Sequence, residues 1–97
     1  MEITKEMNTA QLTTIIESSE PDYRRFIFAV FNLSVTMDQK KISRRLMHER
    51  LREPRTRFNT QFHYWLKLGL IEANKLDIWL TAQGTTAIEE YQSRKKS

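Results

Sequence analysis

Residues 55–72, RTRFNTQFHYWLKLGLIE, place side chains that could bind nucleic acid next to large aromatic rings. Arginine, threonine and asparagine can bind base edges through hydrogen bonds, and arginine and lysine can neutralise phosphates. Two arrangements are compatible with this composition. The rings could form a platform on which unpaired bases stack, or they could be the buried face of a helix whose other face is polar.

The spacing of the aromatic residues distinguishes these arrangements. A helix turns by about 100° per residue, so four large apolar residues fall on one arc of ordinary core width: Phe58, Phe62, Trp65 and Leu66. The opposite arc carries only charged or hydrogen-bonding side chains: Thr56, Arg57, Thr60, His63, Tyr64 and Lys67. The pattern therefore predicts a helix at 55–68 whose polar face suits the major groove of duplex DNA, because the major groove of RNA is too narrow for a helix.

A surplus of positive charge precedes and overlaps this helix. Residues 40–57 contain eight basic and two acidic residues, a surplus of six, whereas the whole chain carries +4 and the remainder therefore −2. Concentrated charge of one sign attracts a polyanion, and the attraction weakens with salt. Because the charges do not alternate in sign, we interpret the stretch as a DNA-binding surface rather than an ordinary solvated helix face.

Composition and motifs do not indicate an enzyme, a metal site or a membrane protein. The 97 residues correspond to one domain and contain no cysteine. No apolar run approaches the roughly 18 residues of a membrane span, and residues 1–6 lack the layout of a signal peptide. The two histidines, His48 and His63, do not have metal-site spacing. We therefore expect a cytoplasmic protein that uses no cofactor.

The first half of the chain reads as helices with one interruption. Helical spacing of apolar residues predicts a first helix at 8–18, packed on the domain or on a partner chain. A proline suits the first turn of a second, nearly buried helix at 21–33. Residues 35–37 alternate like a very short strand, and Asp38 is suited to cap the next helix.

The next helix is predicted at 40–46, with its cations opposite a core-facing pair, Ile42 and Leu46. Met47 and Leu51 fall out of phase with that pair. Either the helix bends or ends near them, or these two residues meet another surface.

A β-hairpin and a last helix follow the helix at 55–68. Gly69 suits a left-handed helix end, and residues 70–71 start a strand. Residues 76–81 alternate as a half-buried strand, which leaves a tip around Asn74 and Lys75 and directs Trp79 away from the apolar face. A terminal helix or a partner would then cover that indole.

Thr81 opens the last helix, predicted at 83–93, and the basic tail after it is expected to fray.

Three motifs follow one another in residues 39–91: QKKISRRL, RFNTQFHYWLKLGLIE and LDIWLTAQGTTAIEEY. In the second motif, apolar residues stand eleven, seven and four positions before a glycine. Together the motifs resemble the second helix, recognition helix, wing strands and closing helix of a winged helix-turn-helix domain of the MarR and PadR type. The resemblance implies a mainly α fold with a small β-hairpin wing (α+β). A winged-helix core at 21–82 would lie between an N-terminal helical extension at 1–20 and a C-terminal helix with basic tail at 83–97.

The resemblance also implies which residues meet DNA. Base-reading residues would be Arg55, Thr56, Arg57, Asn59, Thr60 and His63. Phosphate-binding residues would be Lys40, Lys41, Arg44, Arg45, Lys67 and Lys75. Phosphate contacts set the register and base contacts set the sequence. We therefore expect a small transcriptional regulator that binds double-stranded DNA sequence-specifically, as a homodimer joined by its N-terminal helix, its C-terminal helix or both.

Two features depart from the family pattern. The distance from Leu46 to Phe58 exceeds the usual helix-turn-helix step, so either the second helix extends or the turn is a loop that contains Arg50, Arg52 and Arg55. The wing tip is short and carries only Lys75. A long basic wing in a minor groove is therefore not expected.

Two other functions are compatible with the sequence. One is a plasmid or phage factor for replication, partition or excision, which the sequence does not separate from a regulator. The other is a protein-interaction module without DNA binding, whose contact surface would be Met47, Leu51 and Trp79.

Overall fold

The computed structural model describes residues 8–96, which form five helices and three strands. In chain order these are α1 (Thr9–Ser18), α2 (Pro21–Met37), β1 (Ile42–Ser43), α3 (Arg44–Leu51), α4 (Arg55–Leu68), β2 (Ile71–Ala73), β3 (Asp77–Leu80) and α5 (Ala82–Lys96). The strands form one antiparallel sheet in the order β1–β3–β2. The expected α+β fold, mainly helical with a small hairpin wing, is confirmed.

The sequence expectation about a signal peptide concerns residues 1–6, which lie outside the described residues. Within residues 8–96, none of the helices combines the length and the apolarity that crossing a bilayer requires.

The terminal helices pack on each other. α1 begins with a capping box, in which the Asn8 side chain accepts from the Gln11 N–H and the Gln11 side chain accepts from the Asn8 N–H. Leu12 and Ile16 on α1 are fully buried, and α1 packs against α5, where Ile88 is also fully buried. The apolar face of α1 is therefore covered by the chain's own domain.

α2 is longer than predicted. The expected strand at 35–37 is wrong, because the helix continues through Met37. Asp38 is not an N-cap; it ends α2 in the left-handed conformation with φ 54°, and its N–H bonds to carbonyls of the last turn. The helical pattern fades there because this turn extends beyond the core and leaves Val35 65% and Met37 41% exposed.

The predicted helix at 40–46 is also wrong. Residues 42–43 form β1, in which Ile42 pairs with Ile78 of β3. The side chain of Ser43 accepts from the Leu46 N–H and so caps α3, which starts at Arg44 and ends at Leu51. The core face of α3 consists of Met47 and Leu51, at 0% and 2% exposure, and these are the two residues that fell out of phase with the predicted helix.

The hairpin has a tight tip. The Asn74 side chain accepts from the N–H groups of Leu76 and Asp77, at 2.8 and 2.7 Å. Leu76 lies on this tip, not in the strand as predicted, and is 75% exposed. Trp79 is half-buried: its indole N–H donates to Glu72, and the Nζ atom of Lys41 lies 4.7 Å from the ring centre.

A glycine lets α5 approach the start of the hairpin closely. The Thr81 hydroxyl accepts from the Gly84 N–H at 3.0 Å, which confirms that Thr81 opens the last helix. A Cβ atom on Gly84 would lie 2.1 Å from the carbonyl oxygen of Leu70, so a larger residue does not fit. α5 continues to Lys96, beyond its predicted end at Ser93.

Candidate nucleic-acid interface

α4 is held in place by its aromatic face. Phe58, Phe62 and Trp65 are at most 5% exposed, and the Trp65 indole N–H donates to the Tyr23 carbonyl on α2 at 3.0 Å. Their burial excludes the stacking platform that was one interpretation of the sequence. Leu66, predicted to be in the core, is 36% exposed, whereas Gln61 is 1% exposed in its place.

The opposite face of α4 is polar and open to solvent. Its exposed members include four of the predicted base-reading residues and one predicted phosphate contact: Thr56, Arg57, Thr60, His63 and Lys67. Arg55, the first residue of α4, is also exposed. Asn59, at the border of the two faces, is half-buried. The Thr60 hydroxyl donates to the Thr56 carbonyl at 2.9 Å, so its oxygen remains available as an acceptor.

A short turn joins α3 to α4. Because α3 lies at 44–51 and not at 40–46, only residues 52–54 separate the two helices, and the long loop left open by the sequence is absent. Arg52 takes the left-handed conformation that ends α3. A ring nitrogen of His48 lies 2.7 Å from the Glu53 carbonyl oxygen. These contacts fix the angle at which α4 leaves α3.

Arg44 joins three elements at one point. It stands at the start of α3, its guanidinium carbon lies 4.5 Å from the centre of the Phe62 ring on α4, and the group donates to the Asn74 carbonyl of the hairpin tip at 3.1 Å. Its backbone N–H donates to the Leu76 carbonyl at 2.8 Å. Arg44, predicted to bind phosphate, thus has a structural role between α4 and the hairpin.

The other residues predicted to bind phosphate differ in their exposure and in their ion pairs. Lys40, Lys67 and Lys75 are exposed. Arg45 forms an ion pair with Glu49 at 3.6 Å, with 89% of the arginine side chain exposed. An exposed pair of this kind is weak, so it leaves Arg45 able to meet an anion.

Arg57 meets an acidic group that sequence reasoning did not connect to it. Its guanidinium lies 2.6 Å from Oδ2 of Asp22, in the first turn of α2. The pair borders a concavity between the two helices that is also lined by Glu20, Thr56 and Thr60. The sequence marks Asp22 only as an acid at a helix start; its proximity to Arg57 depends on how α2 packs on α4, and no local pattern reports that.

Comparison with protein-family models, with curated proteins and with solved structures gives no match to the chain.

Proposed function

We propose that this chain is a winged-helix protein that binds double-stranded DNA sequence-specifically through α4 and serves as a small transcriptional regulator. The observation that carries the proposal is the division of α4. Phe58, Phe62 and Trp65 are buried, and the exposed face of α4 consists largely of groups that bind base edges and phosphates. A helix with such a face fits the major groove of B-form DNA.

The elements around α4 support the same proposal. α3 and a short turn precede α4, and a β-hairpin follows it, so two elements flank the exposed face. Exposed cations lie on each of these neighbours, Arg45 on α3 and Lys75 at the hairpin tip. Phosphate contacts on both sides of a reading helix would fix its register in the groove.

Salt titration of binding to duplex DNA tests the proposal. Anisotropy of a labelled random duplex should show affinity that falls linearly with salt on logarithmic axes, with a slope of about −0.9 for each neutralised phosphate. Selection of bound sites from a random duplex pool then supplies the preferred sequence. An absence of binding at low salt would contradict the proposal.

Base reading by α4 has its own test. Replacing Arg57 and Thr60 by alanine should reduce the preference for the selected site over random duplex, by about 1–3 kcal/mol for a bidentate arginine. Arg94→Ala is the matched control, because Arg94 is also an arginine with carboxylate partners but lies on α5. If Arg57→Ala retains the full preference, α4 does not read bases as proposed.

We also propose a homodimer. Such a dimer would place its two recognition helices about one turn of DNA apart, roughly 34 Å. A pseudo-palindromic selected site and light scattering of the complex test this arrangement; a strict monomer on DNA would contradict it. Such a regulator would act in the cytoplasm, associated with the nucleoid when bound.

The alternative function, a protein-interaction module, is less well supported, because the residues expected to form its contact surface are not exposed. Met47 and Leu51 are buried, and Trp79 is half-buried with its ring beside Lys41.

A further inference from the structure

An acidic residue at the edge of a cation-rich face requires an explanation. Asp22 contacts Arg57 at 2.6 Å, and the two side chains are 44% and 56% exposed. An ion pair this exposed contributes little to folding stability. It does, however, cancel one positive charge on the face that is proposed to bind a polyanion.

The position of Asp22 at a helix start explains why the residue is acidic, but not why it contacts Arg57. A carboxylate in the first turn of α2 interacts favourably with the helix dipole, but that interaction does not require a contact with α4. Glu20 immediately precedes the same helix, lines the same concavity and is exposed. Within residues 8–96, Glu20 forms no ion pair.

The contact changes what Arg57 can bind. A guanidinium has five N–H donors in a planar fork, and one of its terminal nitrogens faces Asp22, which orients the fork. A phosphate approaching the remaining donors would be repelled by the nearby carboxylate, because like charges a few ångströms apart oppose each other even in water. Guanine O6 and N7 carry no net charge, so the same carboxylate opposes them far less.

We propose that Asp22 is a positioning residue that sets specificity: it holds Arg57 for a base edge and prevents the same guanidinium from neutralising a phosphate. The inference rests on the proposed DNA-binding function and deepens it. It assigns to Arg57 a contribution to discrimination between sequences and not to general affinity.

The test compares Asp22→Asn with Glu20→Gln, which removes a charge from the same concavity without touching Arg57. Asp22→Asn should bind random duplex about fivefold more tightly at low salt, and its salt slope should steepen by about 0.9, corresponding to one additional phosphate. Its affinity for the selected site should rise less, so the specificity ratio falls. Glu20→Gln should leave the slope unchanged, and Asp22→Glu should retain the wild-type slope.

A double-mutant cycle identifies the route of the effect. In an Arg57→Ala background, Asp22→Asn should no longer change the slope or the specificity ratio. If its effect persists there, or if Glu20→Gln equals it, the inference is overturned while DNA binding by the wild type still stands. If the wild type does not bind duplex DNA, the proposed function itself fails. Circular dichroism checks folding, and Asp22→Ser replaces Asp22→Asn should that variant not fold.

Discussion

α3 and α4 both belong to the basic stretch, yet they use their cations differently. α4 is positioned by buried aromatic residues, which leaves its polar side chains at the surface. α3 has eight residues, and the arginine at its start is occupied by the Phe62 ring and the Asn74 carbonyl. A count of charges along the sequence therefore does not distinguish cations that hold elements of the fold together from cations that remain exposed.

Replacing a buried aromatic residue of α4 should cause the largest loss of stability. Trp65→Ala should lower the free energy of unfolding by about 3–5 kcal/mol, because it opens a cavity and removes the hydrogen bond from the indole to the Tyr23 carbonyl. Urea unfolding measures the loss. The neighbouring Tyr64→Ala is the control, since Tyr64 is 38% exposed; equal losses would mean that α4 is not held by its buried face.

The close packing of α5 on the start of the hairpin depends on Gly84. A glycine within a helix usually costs about 0.5–1 kcal/mol relative to alanine, so Gly84→Ala could be expected to stabilise the protein. The 2.1 Å approach to the Leu70 carbonyl reverses the sign, and we expect a net loss of about 1–3 kcal/mol from overpacking. Thermal unfolding measures it, with the exposed Thr86→Ala as the control. A rise in Tm would show that α5 is free to move away from Leu70 at the start of the hairpin.

Loss of Arg44 should destabilise the hairpin tip, because this arginine is engaged in contacts within the fold. Arg44→Ala removes one hydrogen bond and one cation–π contact, for a loss of about 1 kcal/mol, and should speed amide exchange at Leu76 and Asp77 in the tip. Arg44→Lys should not restore protection, because an ammonium cannot reproduce the planar fork. Wild-type protection in both variants would contradict the role of Arg44 as a junction.

Its neighbour Arg45 should show the opposite behaviour. Arg45→Ala should change the free energy of unfolding by less than about 0.5 kcal/mol, because the side chain is 89% exposed. If Arg45 binds a phosphate, the same variant should flatten the salt dependence of DNA binding by about 0.9. A stability loss as large as that of Arg44→Ala would remove the distinction between these adjacent arginines.

The sequence predicts α4 well because its signals are local and repeated. Its buried aromatic residues recur over about two turns, and Gly69 ends the helix with φ 84°. The same reasoning locates the hairpin and the start of α5, where Thr81 caps the helix. The predicted base-reading face is exposed as expected, apart from Asn59 at its border.

The predictions for β1 and α3 are wrong because β1 is very short and its pairing partner lies far along the chain. β1 has two residues, and what makes it a strand is its pairing with Ile78 and Asp77, far along the chain. Ile42 is therefore buried as part of a sheet, although its spacing from Leu46 also fits one helix face. Asp22 escaped prediction for a related reason, since the contact with Arg57 exists only once two helices have packed.

Arg44 also connects the hairpin tip to α4, the helix proposed to read DNA. Because its guanidinium lies on Phe62 and bonds to the hairpin tip, these contacts oppose movement of the tip relative to α4. A duplex that touched both elements would have to match a fixed spacing between them, or bend and change its groove width to do so. Such deformation costs less for some base steps than for others, so this arginine would let the protein sense the shape of DNA at positions that no side chain contacts.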